Sequence, residues 1–167
     1  MEKLFKSTRG NQTPIDFYTS ILQGIASDGG LLVPDFDFEK KNLEELLSLN
    51  YVDLATEIIS TFAPSDAKEA LHTACTQAYG EGLFCDEVVP VKKAGNVYVA
   101  ELYQGPTAAF KDMALSMLPR MMTLSLKKKG EEREVMILAA TSGDTGKAAL
   151  EGFKDVEGTC IKVFYPI

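Results

Sequence analysis

Between Glu39 and Ala78 the apolar residues recur every three or four positions, the period of helices with one buried face. Leu43, Leu46 and Leu47 mark one side of a first segment, Glu39 to Leu49. Asn50 fits the cap of a second, in which Tyr51, Leu54, Ala55, Ile58 and Phe62 repeat before Pro64 stops it. Ser65 fits the cap of a third, with Ala67, Ala70, Leu71, Ala74 and Ala78 as its stripe and Gly80 just past its end. An earlier helix is expected from Thr13 as N-cap, with Pro14 in the first turn and Asp16 closing a capping box. Phe17, Ile21 and Ile25 share its face, Asp28-Gly29-Gly30 ends it, and Leu31 to Pro34 is a short extended piece.

Near Cys85 the period changes. Val88 to Val91 and Val97 to Leu102 read as two strands around a hairpin turn at Lys92 to Asn96. A helical pattern follows from Met113 to Lys129, with Ala114, Met117, Leu118, Met121 and Leu124 on one face. Pro119 inside it should kink or split the helix. Val135 to Ala140 reads as a strand buried on both faces, then come a helix through Phe153 and a last strand, Cys160 to Tyr165. This β-α-β-α-β alternation predicts an α/β fold with a parallel, helix-covered sheet behind a helical N-terminal segment. The expected division is 1–85, mainly helical, and 86–167, the beginning of the α/β domain. An apolar strand as the final element implies that the chain is an N-terminal fragment.

Composition adds bounds. The 167 residues are 46% hydrophobic and 25% charged, the balance of a globular protein. A net charge of −7 argues against a nucleic-acid partner. No apolar run reaches the ~20 residues of a membrane helix, and the first residues carry no signal-peptide core. Cys75, Cys85 and Cys160 have no metal-ligand spacing and read as buried free thiols in a reducing cytoplasm; no metal is expected. The single histidine, His72, falls beside the stripe of its helix, a surface or boundary position rather than a catalytic one.

Two stretches carry chemistry. In Glu101 to Asp112, a turn at Gly105-Pro106 precedes Lys111, which is flanked by Ala108, Ala109 and Phe110. An amine held out of water there would be a nucleophile toward carbonyls; a lysine that snorkels to the surface is the plainer alternative. In Thr141-Ser142-Gly143-Asp144-Thr145-Gly146, two glycines and two hydroxyls meet the start of a helix. Such a turn cradles a carboxylate or phosphate, although an ordinary N-cap by Asp144 or Thr145 would also explain it.

Together, Gly105-Pro106-Thr107-Ala108-Ala109-Phe110-Lys111-Asp112 and Ala140-Thr141-Ser142-Gly143-Asp144-Thr145-Gly146 resemble threonine synthase, a pyridoxal-phosphate (PLP) enzyme of the tryptophan synthase β-like fold type II. Ser7-Thr8-Arg9-Gly10 and Leu22 to Pro34 resemble that family's opening segment. The resemblance implies a lyase that converts O-phospho-L-homoserine and water to L-threonine and phosphate, in amino-acid biosynthesis in the cytoplasm. It implies Lys111 as the Schiff-base lysine to pyridoxal 5'-phosphate and as the catalytic base. It places the substrate carboxylate at Ser142, Gly143, Asp144 and Thr145. Related enzymes with other substrates carry asparagine where this chain has Asp144. The family's glycine-rich loop for the cofactor phosphate is not among these residues, so the chain alone is expected to bind PLP weakly or not at all and to be inactive. A phospho-lyase acting on a γ-phosphorylated amino acid and a non-catalytic binding module stay open. Nothing in the sequence bears on oligomeric state.

Overall fold

The computed structural model describes residues 3–85 and 87–166; Met1, Glu2, Asp86 and Ile167, at the ends of the two expected domains, lie outside the described residues. The chain forms two compact units. The first takes in residues up to Cys75 together with Leu124–Glu132; the second takes in Thr76–Thr123 and Arg133 onward.

The first unit contains a sheet that the hydrophobic pattern does not announce. Strands β1 (Leu4–Ser7), β2 (Ile15–Asp16) and β3 (Leu32–Pro34) lie antiparallel in the order β2-β1-β3. The expected helix from Thr13 is correspondingly shorter: α1 spans Phe17–Gln23 and ends at Gly24, whose φ is 69°. Pairing of Ile15 with Phe5 holds this stretch extended. Asp16 is therefore the N-cap itself, accepting from the backbone N–H groups of Tyr18 and Thr19. Ile25 lies past the helix and is exposed. The remaining helices are α2 (Leu43–Leu47), capped by Asn42, and α3 (Tyr51–Ser60), capped by Asn50 as expected. A 3-10 turn at Ser65–Ala67 then leads into α4 (Lys68–Tyr79). Aromatic edges link sheet to helix: Phe17 meets Phe5, Phe5 meets Phe36, Phe36 meets Phe38, and Phe38 meets Phe62, with centroids 5.3 to 6.3 Å apart. Leu71, Ala63 and Ala67 are fully buried. His72 is exposed, its Nε2 3.1 Å from Asp53 Oδ1.

The lysine run at Lys127–Lys129 is paired. Lys128 reaches Asp66 at 3.0 Å and Lys129 reaches Asp16 at 2.7 Å. Burial alone would push the Asp16 carboxyl up, but hydrogen bonds from Lys129 and Thr19 outweigh it and hold it at about 2. A carboxylate depressed in the folded state adds stability above its unfolded value, 3.8, and loses it as pH falls toward 2. The site is about one-third open to solvent, so screening leaves ~1 kcal/mol. Asp16→Asn keeps a good N-cap and removes only the charge. Its denaturation midpoint should lie below that of the parent at pH 6 and converge with it near pH 2. Equal midpoints at both pH values would contradict the pairing.

In the second unit, strands β4 (Val91–Ala94) and β5 (Val97–Ala100) form a hairpin whose two-residue turn is Gly95-Asn96. Lys92 to Ala94 belong to the strand rather than to the turn. Gly95 takes φ 62°, as the first position of a tight hairpin turn requires. Pro119 splits the next helix, giving α5 (Asp112–Leu115) and α6 (Leu118–Lys129). The buried face of α6 is Pro119, Met122, Ser125 and Leu126, not Met121 and Leu124. A serine at 0% exposure breaks the apolar pattern that pointed to the wrong side.

Strands β6 (Val135–Ala140) and β7 (Thr159–Phe164) are parallel, joined through α7 (Asp144–Phe153). Residues Ile137 and Ala139 pair with Ile161 and Val163, on the half-buried face that meets α7. Contrary to expectation, β6 is not buried on both faces. Met136, Leu138 and Phe164 are exposed, because the described sheet has only two strands and α7 covers one side. The cysteines are unpaired, but only Cys75 is buried; Cys85 is exposed and Cys160 half-buried. Among the described residues no helix is long and apolar enough to cross a membrane.

Candidate active site

Residues 101–111 form the loop between β5 and α5. Its start is tied down by Glu101, which is 8% exposed and pairs with Lys92 at 2.9 Å and with Gln104 Nε2 at 3.0 Å. The Lys92 hydrogen bond holds the Glu101 carboxyl below the usual range. The loop's end closes on Asp112, which is 2% exposed. Its Oδ2 accepts from the Thr107 backbone N–H at 2.8 Å and its Oδ1 from the Thr107 hydroxyl at 2.6 Å. Gly105 must be glycine for space: a Cβ there would lie 2.6 Å from Asp112 Cβ and 2.9 Å from the Phe84 ring. Ala108 takes φ 57°. That left-handed geometry costs a non-glycine residue ~1–2 kcal/mol.

Lys111 sits at the N-cap position of α5, half-buried, with Nζ 4.5 Å from the centre of the exposed Phe110 ring. The strand does not hand over directly to a helix, as the pattern suggested; ten residues of loop precede Lys111, and α5 is a single turn. The amine is shielded on one side by an aromatic face and remains reachable from solvent.

The second stretch opens α7. Gly143 is its N-cap residue and supplies no side-chain cap, so neither Asp144 nor Thr145 takes the ordinary capping role. Ser142, Gly143, Asp144 and Thr145 are all exposed. Uncapped backbone N–H groups at the start of a ten-residue helix attract anions. The two glycines differ. A Cβ on Gly143 would meet nothing within 4 Å, leaving open space beside the turn. One on Gly146 would lie 3.0 Å from Val163 Cγ1 and nearer still to Thr141 Cγ2, so this glycine serves helix-to-sheet packing.

The structure brings the two stretches together. Lys147, in the first turn of α7, donates from Nζ to the Thr107 carbonyl at 3.1 Å. Further along, Gly152 of α7 lies against the Leu115 carbonyl at the end of α5. Sequence reasoning passed over Asp112, Thr107 and Lys147. The signal for the first two was a threonine after Gly-Pro followed by an aspartate, the side chains that hydrogen-bond turns. In the first unit, Arg9 donates to the Asp28 carbonyl at 2.9 Å and lies over Gly29. Asp28 is held below its usual range by the Ser7 hydroxyl and the Gly30 N–H. These contacts fold the loop and assign Arg9 no chemistry.

The fit to pyridoxal phosphate is favourable on the chain's own groups: a reachable amine on a constrained loop, and an adjoining uncapped helix start with open space beside it.

A family model described as the threonine synthase N terminus matches residues 4–79. A threonine synthase from Pseudomonas aeruginosa is 41% identical over 96% of this chain and 34% of its own length. A human protein named threonine synthase-like 1 is 36% identical over 90% of this chain and 21% of its own. Among solved structures, a PLP-bound threonine synthase from Brucella melitensis superposes with a TM-score of 0.88 at 34% identity, over 98% of this chain and 36% of that one. The chain thus spans about a third of the length of the threonine synthases it matches. Its mixed α/β architecture is that of the N-terminal region of these fold-type II PLP enzymes, and residues 4–79 match the threonine synthase N-terminal domain.

Proposed function

We infer that this chain supplies the amine-bearing loop and one anion-binding turn of a threonine synthase, which converts O-phospho-L-homoserine and water to L-threonine and phosphate. The observation that carries the reading is the junction of the two stretches. The loop holding Lys111 and the uncapped start of α7 are tied by the Lys147–Thr107 hydrogen bond.

Bound to this site, pyridoxal phosphate supplies an electron sink that makes the substrate's Cα proton removable. Lys111 provides the amine that anchors the cofactor's aldehyde. With its amine free, Lys111 would be the base that moves protons at the substrate's Cα and Cβ. The exposed hydroxyls of Ser142 and Thr145 and the uncapped N–H groups at the start of α7 would orient the substrate carboxylate. Asp144 stands at the first turn of α7, near the cofactor or the substrate, and Phe110 shields the amine from water on one side. Unpaired cysteines fit a reducing, cytoplasmic setting. The 167 residues alone are expected to hold the cofactor weakly and not to turn over.

The test is product analysis on the complete protein with pyridoxal phosphate and O-phosphohomoserine. Threonine and phosphate should appear in equal amounts, and Lys111→Ala should reduce both by at least ~10³-fold. Phosphate with a keto acid in place of threonine would mark a phospho-lyase. No phosphate release would mark a binding module.

A further inference from the structure

We propose that Asp112 is a positioning residue for Lys111, acting through Thr107, and that Lys147 extends the same device to the anion-binding turn. The inference rests on the reading of Lys111 given above and goes beyond it to residues that touch neither cofactor nor substrate.

Asp112 is the most enclosed carboxylate among the described residues, with both oxygens committed to one neighbour, Thr107. A buried charge is costly unless fully hydrogen-bonded, so such a residue persists where it fixes geometry. What it fixes is the stretch between Thr107 and Asp112, which contains Ala108 in its strained conformation and Lys111. Charge-assisted bonds of this kind are about twice as strong as neutral ones, enough to offset the strain at Ala108. Gly105 closes the third side, since only hydrogen fits between it and Asp112. Thr107 is then used a third time: its carbonyl accepts from Lys147. A single threonine joins the lysine loop to the helix whose start forms the turn, and this sets the distance between amine and carboxylate site.

The experiment uses the complete protein with Thr107→Val, which removes one donor, Thr107→Ser, which keeps both, and Asp112→Asn. Two readouts are taken at each lysine by peptide mapping. One is reductive methylation by formaldehyde and cyanoborohydride; the other is borohydride trapping of added pyridoxal phosphate. Thr107→Val and Asp112→Asn should raise Lys111 methylation to the rate of exposed Lys154 and lower trapping at Lys111 by about 10-fold. Thr107→Ser should match the parent, a rescue that loss of bulk packing would not give. Lys147→Ala changes only an exposed side chain, which keeps the test open should the buried variants unfold; it should lower trapping by about 3-fold. Unchanged methylation and trapping in folded variants overturns the proposal. Absence of Lys111-selective trapping in the parent overturns the cofactor reading instead, while the methylation ratios still decide the role of Asp112.

Discussion

Gly152→Ala should lower the thermal midpoint of the second unit by on the order of 10 °C, although alanine is the better helix former. In a solvent-facing helix interior this exchange gains ~1 kcal/mol. Here the added Cβ would lie 2.8 Å from the Leu115 carbonyl carbon and nearer still to its oxygen. Both are backbone atoms, so no side chain can rotate away and α7 must lift from α5. Overpacking against backbone costs ~3 kcal/mol, which exceeds the propensity gain and fixes the sign. Gly143→Ala is the control: its Cβ meets nothing within 4 Å and its φ of −161° suits any residue, so its midpoint should stay within about 1 °C of the parent. Thermal unfolding followed by circular dichroism decides. A Gly152→Ala midpoint at or above the parent's would mean that the two helices do not approach this closely. The consequence reaches the site, because the same helix carries Lys147 and the turn proposed for the carboxylate.

Where periodicity was strong, the sequence was a good guide. Asn50 caps α3, Pro119 divides α5 from α6, and α7 runs to Phe153 between two parallel strands. These elements declare themselves through local chemistry: a capping side chain, a missing N–H, an apolar stripe. The three-stranded sheet of the first unit does not. Its strands are two to four residues long, too short to show alternation, and Asp16 is as suited to the third position of a capping box as to the cap itself. The buried face of α6 was misread for a related reason: Ser125 is fully enclosed, and a pattern of apolar residues cannot see it.

The candidate site was legible in its reactive groups and illegible in what holds them. Lys111 and the Ser142 turn stand out because an amine in apolar company and a glycine-rich helix start are unusual. Asp112 hides as a routine acid in the first turn of a helix, and Ala108 gives no hint of positive φ. Gly146 and Gly143 looked alike, yet one is demanded by packing and the other borders open space. Which glycine faces a ligand is decided by tertiary neighbours, which a single sequence does not list.

Which lysine takes up the cofactor can be measured on the complete protein without turnover. Millimolar pyridoxal phosphate followed by borohydride leaves a permanent mark on the amine that condensed with it. The site read here predicts that Lys111 carries the mark at least ~10-fold above any other lysine, and that Lys111→Met removes it while labelling elsewhere is unchanged. A mark spread evenly over exposed lysines such as Lys127 and Lys154, or one indifferent to Lys111→Met, would contradict the account at its root.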